Sequence, residues 1–238
     1  MNIRQMVRRL LGRSETPVLA WRMRKDWDQR ARENARHFVA TSQQDWTDED
    51  FFESGRIWIS YHVVPYIDLL RAGRNPSEMR VLEIGCGAGR MTMGLSEIFG
   101  WIDAVDVSRE MIAVARKSLA HCSNVRFHVN NGVDLKLFSG AQFDFVFSAI
   151  VFQHIPSKVI IDSYIKEAYR VLRPGSFFKF QLQGRHIPRE DTSTWVGVGF
   201  AEEELTAAAE ETGFRVHCMT GAGTQEFWVT LQKSNGTT

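Results

Sequence analysis

The sequence predicts an α/β protein: a seven-stranded, mostly parallel, doubly wound sheet preceded by a helical segment. Three observations predict it. Seven short apolar runs follow one another from about residue 79 onward. Amphipathic helical stretches are interleaved among them, and strand–helix alternation implies parallel strands. The last two runs are separated only by "GAGTQE", so they form a hairpin and one of them runs antiparallel to the rest.

The elements follow in order. Residues 1–13, "MNIRQMVRRLLGR", place Ile3, Met6, Val7, Leu10 and Leu11 on one helical face and Arg4, Arg8 and Arg9 away from it. Packing of that stripe on the body is the first reading; contact of residues 1–13 with a membrane surface or a partner is the second. Residues 17–72 read as mostly helical and carry Trp21, Trp27, Trp46 and Trp58. "TDEDFFESG" is a short helix with Thr47 as N-cap and Asp50 in place of the usual Glu of a capping box. The next stretch, "GRIWISYHVVPYIDLLRAG", is a helix interrupted at Pro65. The strands are "RVLEIG", "WIDAVDV", "NVRFHVN", "FDFVFSAI", "SFFKFQLQ", "FRVHCMT" and "FWVTLQK". Helices start at Ser108 and Ser157 and stop at Gly100, at "RPG" and at Gly213. Residues 1–75 are therefore expected to form a helical cap and residues 76–238 the sheet-bearing part of one structural unit.

Composition limits the function. The net charge of +1 supplies no overall field for nucleic acid, and no nucleic-acid partner is expected, although residues 1–30 hold eight Lys/Arg against three Asp/Glu. Cys86, Cys122 and Cys218 are scattered and form no zinc or disulfide pattern, and no metal-ligand carboxylate set is evident; no metal is expected. No apolar run approaches the ~18–20 residues of a membrane-spanning helix. A reducing, cytoplasmic setting is the expectation.

"VLEIGCGAGR", residues 81–90, runs from the first strand into Gly85, Gly87 and Gly89. Glycines let a ligand approach the main chain, and the loop falls beyond the carboxyl end of a strand, where open α/β sheets bind ligands. The spacing is not the GxGxxG of a dinucleotide site, and Glu83 would repel a pyrophosphate. The ligand should carry a cation instead. Asp106 ends the second strand, where a carboxylate can accept hydrogen bonds from two ribose hydroxyls. Asp103, of opposite parity, reads as a solvated side chain.

With "VDVSREMI" after it, this loop resembles the cofactor motifs of class I, Rossmann-like S-adenosylmethionine-dependent methyltransferases. The resemblance covers about residues 79–233. It implies the strand order 3-2-1-4-5-7-6 with the seventh strand antiparallel, and S-adenosylmethionine as cofactor with S-adenosylhomocysteine as product. The implied cofactor residues are Glu83, Gly85, Cys86, Gly87, Gly89, Asp106, Val107, Met111, Asn131, Gly132 and Ser148. Asn131 stands where the family usually presents an acid to the adenine amine, with Asn130 and Asp134 as alternatives. His154, in "FQHIP" beyond the fourth strand, is the candidate catalytic residue. Tyr61, His62, Arg185, His186 and Trp195 are candidate acceptor contacts, the last three in a connection long enough to be a binding lid; core packing is the competing role for Tyr61. The absence of an Asn/Asp-Pro-Pro-aromatic or Pro-Cys sequence after the fourth strand leaves a small-molecule O- or N-acceptor, methylated without metal. A non-catalytic S-adenosylmethionine-binding module and an aminopropyl-type transferase stay open as alternatives.

Overall fold

The structure, a computed structural model, describes residues 3–235, with side chains from Glu15 on. The apolar stripe read over residues 1–13 lies outside the described side chains; the backbone from Ile3 is continuous with the first helix. That helix, α1 (Ile3–Val39), is broken at Asn34, where φ is −167° and ψ is 89°. The Asn34 side chain competes with the helical backbone. Its Oδ1 accepts from His37 N at 3.1 Å, and its Nδ2 donates to Gln44 O at 2.9 Å, so it ends one helix and caps the final turn.

Helix α2 (Asp48–His62) begins where the sequence places it. Thr47 Oγ1 accepts from Asp50 N at 3.1 Å and donates to the Asp50 carboxylate at 2.8 Å. The two stretches form one helix that runs through Gly55. Gly55 is a contact point: a Cβ there would overlap the carbonyl oxygen of Arg90. Close packing of two helices, not a helix stop, selects the glycine. Beyond His62, Pro65 breaks the helix as expected into a 3-10 turn (Val64–Tyr66) and the single turn α3 (Ile67–Leu70).

The sheet comprises β1 (Arg80–Ile84), β2 (Trp101–Asp106), β3 (Val125–Val129), β4 (Phe143–Ser148), β5 (Leu172–Leu182), β6 (Phe214–Thr220) and β7 (Phe227–Lys233). Its order is β3-β2-β1-β4-β5-β7-β6, and β7 is antiparallel to both neighbours. The remaining helices are α4 (Arg90–Ile98), α5 (Arg109–Ser118), α6 (Lys158–Val171) and α7 (Glu202–Thr212). Ser108 and Ser157 cap α5 and α6 through their hydroxyls. Every residue of "FDFVFS" in β4 is buried, as suits a parallel strand covered on both faces. Val146, Phe178 and Phe180 enter one core and Phe145, Phe147 and Phe177 the other.

Asp103 is not solvated. It is 1% exposed, held by Arg80 Nε at 2.7 Å and by the His128 ring nitrogen at 2.7 Å. Burial alone would raise its pKa; the bonds from His128 and Arg80 outweigh that, and the net shift is downward. A strand flanked by β1 and β3 and covered by helices has no solvated face, so parity alone misreads this carboxylate.

Candidate active site

The chain reverses its strand order at β1, which pairs with β2 on one side and β4 on the other. A cleft of about 900 Å³, open to solvent, lies over the carboxyl ends of these strands. Helix α1 supplies Met23 and Trp27 to its wall, and Phe38 and Val39 from its last turn.

The glycine loop forms the floor. Gly85 and Gly87 have φ of 77° and 53°, the left-handed region that favours glycine. A Cβ on Gly85 would overlap Val151, and one on Gly87 would press on Val39 at 2.7 Å. Beyond β4, Ile150 also has positive φ, 57°, rare for a β-branched residue and typical of strain kept at functional sites. Gln181 Oε1 accepts its N–H at 3.0 Å and fixes that turn.

Three charged groups meet here. Glu83 is 4% exposed and accepts from Thr92 Oγ1 at 2.5 Å. Burial pushes its pKa up to about 7. Asp106 accepts from Gly87 N at 2.9 Å and from Ser108 N at 2.8 Å, and burial raises its pKa to about 6. Arg90, also 4% exposed, has its guanidinium 5.4 Å over the Trp58 ring, and its buried Nε has no acceptor. Burial lowers its pKa to about 10, against the field of Glu83. Glu83 and Arg90 act on each other electrostatically without forming an ion pair.

Of the expected cofactor residues, Glu83, Gly85, Cys86, Gly87, Asp106, Val107, Met111 and Gly132 line the cleft. The other three do not. Gly89 caps α4 with its back to Ala115 and Leu119. Ser148 is fully buried and donates to Ile84 O at 2.9 Å, so Ala149 occupies the wall in its place. Asn131 is exposed: its Oδ1 caps the turn to Val133 and Asp134 at 2.9 Å. Its neighbour Asn130 lines the cleft, held between Gly132 N and the Tyr164 hydroxyl.

His154 lines the cleft beside Trp27 and Trp195, with ring centroids 5.4 and 5.1 Å away. Its Nδ1 bonds the Trp195 carbonyl, which fixes the proton on Nδ1, and its Nε2 accepts from Gln153. Burial drops its pKa to about 4. Trp195 stands on the rim. Its loop is tied to α1 by Thr194, which donates to Asp26 at 2.7 Å and accepts from Arg30 at 3.2 Å. Arg185 and His186, on the same loop, are exposed and away from the cleft. Tyr61 is 71% exposed on α2, in neither core nor cleft. His62 is stacked on Trp228 at 4.2 Å, outside the cleft wall.

Sequence reasoning missed Arg90, Tyr164 and the α1 contacts. Arg90 had a signal, a cation directly after the third glycine. Tyr164 reads as one more apolar position on α6, and nothing in α1 marks which residues face the cleft.

A switch-point cleft with this glycine loop and an acid ending β2, under a sheet in the order β3-β2-β1-β4-β5-β7-β6, defines the class I, Rossmann-like methyltransferase fold. Residues 81–175 match the family described as "Methyltransferase domain". A relative named ubiquinone biosynthesis O-methyltransferase, from Xanthomonas axonopodis pv. citri, is 28% identical over 110 residues, 46% of this chain and 45% of that one. The chain thus matches curated relatives over about half their length. Among solved structures, magnesium protoporphyrin IX methyltransferase from Synechocystis PCC 6803 with bound S-adenosylmethionine has a TM-score of 0.63 at 15% identity, covering 91% of this chain and 97% of that one. Phosphoethanolamine N-methyltransferase 1 of Haemonchus contortus, in complex with phosphoethanolamine and S-adenosylhomocysteine, has a TM-score of 0.67 at 17% identity, covering 92% and 50%. These structural likenesses establish the fold. Among the described residues, no helix is long and apolar enough to cross a membrane.

Proposed function

We propose that this protein is an S-adenosylmethionine-dependent methyltransferase acting on the oxygen or nitrogen of a small molecule, without metal. The observation that carries the reading is the unpaired couple Glu83 and Arg90 on the floor of the cleft. An amino-acid moiety brings one ammonium and one carboxylate, which match that couple. A phosphate-bearing dinucleotide would set its charge against two buried carboxyls instead. Asp106 keeps lone pairs for ribose hydroxyls beside its two backbone bonds, and Asn130 with Gly132 lies where adenine would rest. Gly85 and Gly87 let the loop backbone pack against Val151 and Val39 while lining the cleft.

When bound, the cofactor supplies a methyl group already activated by its sulfonium. The protein's part is alignment and exclusion of water. Trp27, Phe38 and Val39 shield the cleft, which supports reading the helical segment as its cover. His154 is neutral at pH 7, and both its nitrogens are engaged. It holds the Trp195 backbone against the cleft as a positioning residue. The curated relatives' names favour an oxygen acceptor. A reducing cytoplasmic location suits three cysteines that are all free.

The test has two steps. Calorimetry should show binding of S-adenosylmethionine and S-adenosylhomocysteine and none of NAD. Turnover against a panel of small phenols, alcohols and amines should then release S-adenosylhomocysteine. NAD binding without adenosylmethionine binding would overturn the cofactor assignment, and binding without turnover on any acceptor would leave a binding module.

A further inference from the structure

A second cationic centre lies on the α2 side of Ile150, outside the cleft wall. Lys179 on β5 is 4% exposed, and its ammonium faces rings rather than acceptors: Tyr66 at 3.8 Å and Trp228 at 5.4 Å from the ring centroids. It makes no hydrogen bond or ion pair among the described residues. Trp228, 7% exposed, has a buried Nε1–H that also lacks an acceptor. His62 stacks on Trp228, and its pKa is lowered by burial and by the charge of Lys179. An ammonium set against ring faces, an indole N–H without an acceptor and an imidazole therefore lie side by side. Burial lowers the Lys179 pKa to about 8, opposed by the nearby Cys218.

Such an arrangement is costly as a purely structural one. A buried ammonium without a counter-charge is among the least favourable groups in a protein, and ring faces offset only part of its desolvation. An apolar residue would fill this place in the sheet better. The cluster also adjoins the cleft by two chains of contact. Gln181, two residues along β5 on the same face, holds the Ile150 N–H at the cleft wall. Arg90 lies on Trp58, Trp58 lies 4.8 Å from His62, and His62 lies on Trp228. Tyr66, the ring nearest the ammonium, is itself 36% exposed, so the cluster borders solvent on that side.

We propose that Lys179, Trp228 Nε1 and His62 form an anion subsite for an acidic group, carboxylate or phosphate, carried by the acceptor. This rests on the methyltransferase reading for the word acceptor, but not for the site. Lys179 provides the charge, the Trp228 indole a directed donor, and His62 a donor when protonated.

The experiment uses the full chain with and without S-adenosylhomocysteine and reads the Trp228 indole N–H by NMR, assigned with Trp228→Phe. Benzoate and inorganic phosphate are the probes, and benzamide is the uncharged control. Saturable shifts with benzoate, phosphate or both, and none with benzamide, are expected, and the stronger probe identifies the acid. Lys179→Met should weaken the binding at least about tenfold, the scale of one charge-assisted bond, while leaving S-adenosylhomocysteine affinity unchanged; Lys179→Arg should restore part of it. In the wild type, the Lys179 ammonium should titrate at higher pH once the anion is bound, a readout that needs no variant. No saturable shift with either anion, or equal binding of benzamide, would overturn the subsite. Anion binding in a protein that ignores S-adenosylhomocysteine would overturn the methyltransferase reading and leave the subsite standing.

Discussion

The Asp106 carboxylate accepts a hydrogen bond from the Gly87 amide at 2.9 Å, across the gap between the end of β2 and the glycine loop. Its other oxygen accepts from Ser108 N at 2.8 Å, at the start of α5. One side chain thus fixes both edges of the cofactor cleft before any ligand enters.

Asp106→Ala should therefore do two things. It leaves two backbone N–H groups without their acceptor, which lowers the melting temperature. It also removes the ribose contacts, each worth roughly 1.5–3 kcal/mol when charge-assisted, so S-adenosylhomocysteine affinity falls at least about tenfold. Asp106→Asn keeps one acceptor oxygen and should be milder on both counts. Calorimetry on folded variants decides the matter; unchanged affinity in Asp106→Ala would remove the residue from the site.

Arg90 is buried with an unused Nε donor and only the Trp58 ring beneath it. Arg90→Met keeps the length and the apolar contact while deleting the charge. Because the unpaired guanidinium is costly without ligand, the apo variant should be as stable as the wild type or more so. Its affinity for S-adenosylhomocysteine should drop by about one to two orders of magnitude, the range of a charged hydrogen bond. Adenosine, which has no carboxylate, should lose nothing. If adenosine and S-adenosylhomocysteine weaken equally, Arg90 serves packing rather than the carboxylate.

The raised carboxyls at Glu83 and Asp106 predict opposite pH trends for the apo and bound protein. In the unfolded chain these groups lose their protons near 4.5 and 3.8; in the fold they hold them to about 7 and about 6. The folded state binds more protons in that window, so apo stability falls as pH rises from about 4 to 7. A ligand bearing an ammonium favours the ionised Glu83, so its affinity rises over the upper part of the same window. Thermal melts from pH 5 to 8, with and without S-adenosylhomocysteine, should show a ligand-induced shift that grows with pH. Glu83→Gln should flatten that growth, and a shift independent of pH in the wild type would show that neither carboxyl titrates on binding.

The sheet was legible because strand burial writes itself into the sequence: "FDFVFS" suits a doubly covered strand, and the "GAGTQE" hairpin forces one antiparallel neighbour. The floor of the cleft was legible because glycine adopts the positive φ found at Gly85 and Gly87 without strain. What failed were judgements that depend on a third element. Asp103 is buried because Arg80 and His128 reach it from neighbouring strands. Asn131 and Asn130 are adjacent, and only the turn geometry decides which one faces inward. The walls contributed by α1 had no local signal, because Met23, Trp27 and Val39 are ordinary helix residues until the helix is docked.

His154 offers the last test, because its sequence position suggests a base and its surroundings argue otherwise. A general base should have a pKa near the working pH and a free lone pair; the contribution of such a base is typically about 10²–10⁴-fold in rate. The His154 pKa is driven down to about 4 by burial, its Nδ1 proton is committed to the Trp195 carbonyl, and its Nε2 lone pair faces Gln153. What it does hold is the loop. Trp195 packs at 6.1 Å from Trp27 and at 6.0 Å from Phe38, and Thr194 ties the same turn to Asp26 and Arg30. His154→Gln, which retains a donor, should therefore lower kcat by less than about tenfold and leave the pH profile of kcat in place. His154→Ala should raise KM more than it lowers kcat, because the loop over the acceptor loosens while the cofactor floor is untouched. Steady-state kinetics from pH 6 to 9 on both variants separates the roles: a fall of about a thousandfold in kcat for His154→Gln, with loss of an acidic limb in the profile, would make His154 the base after all.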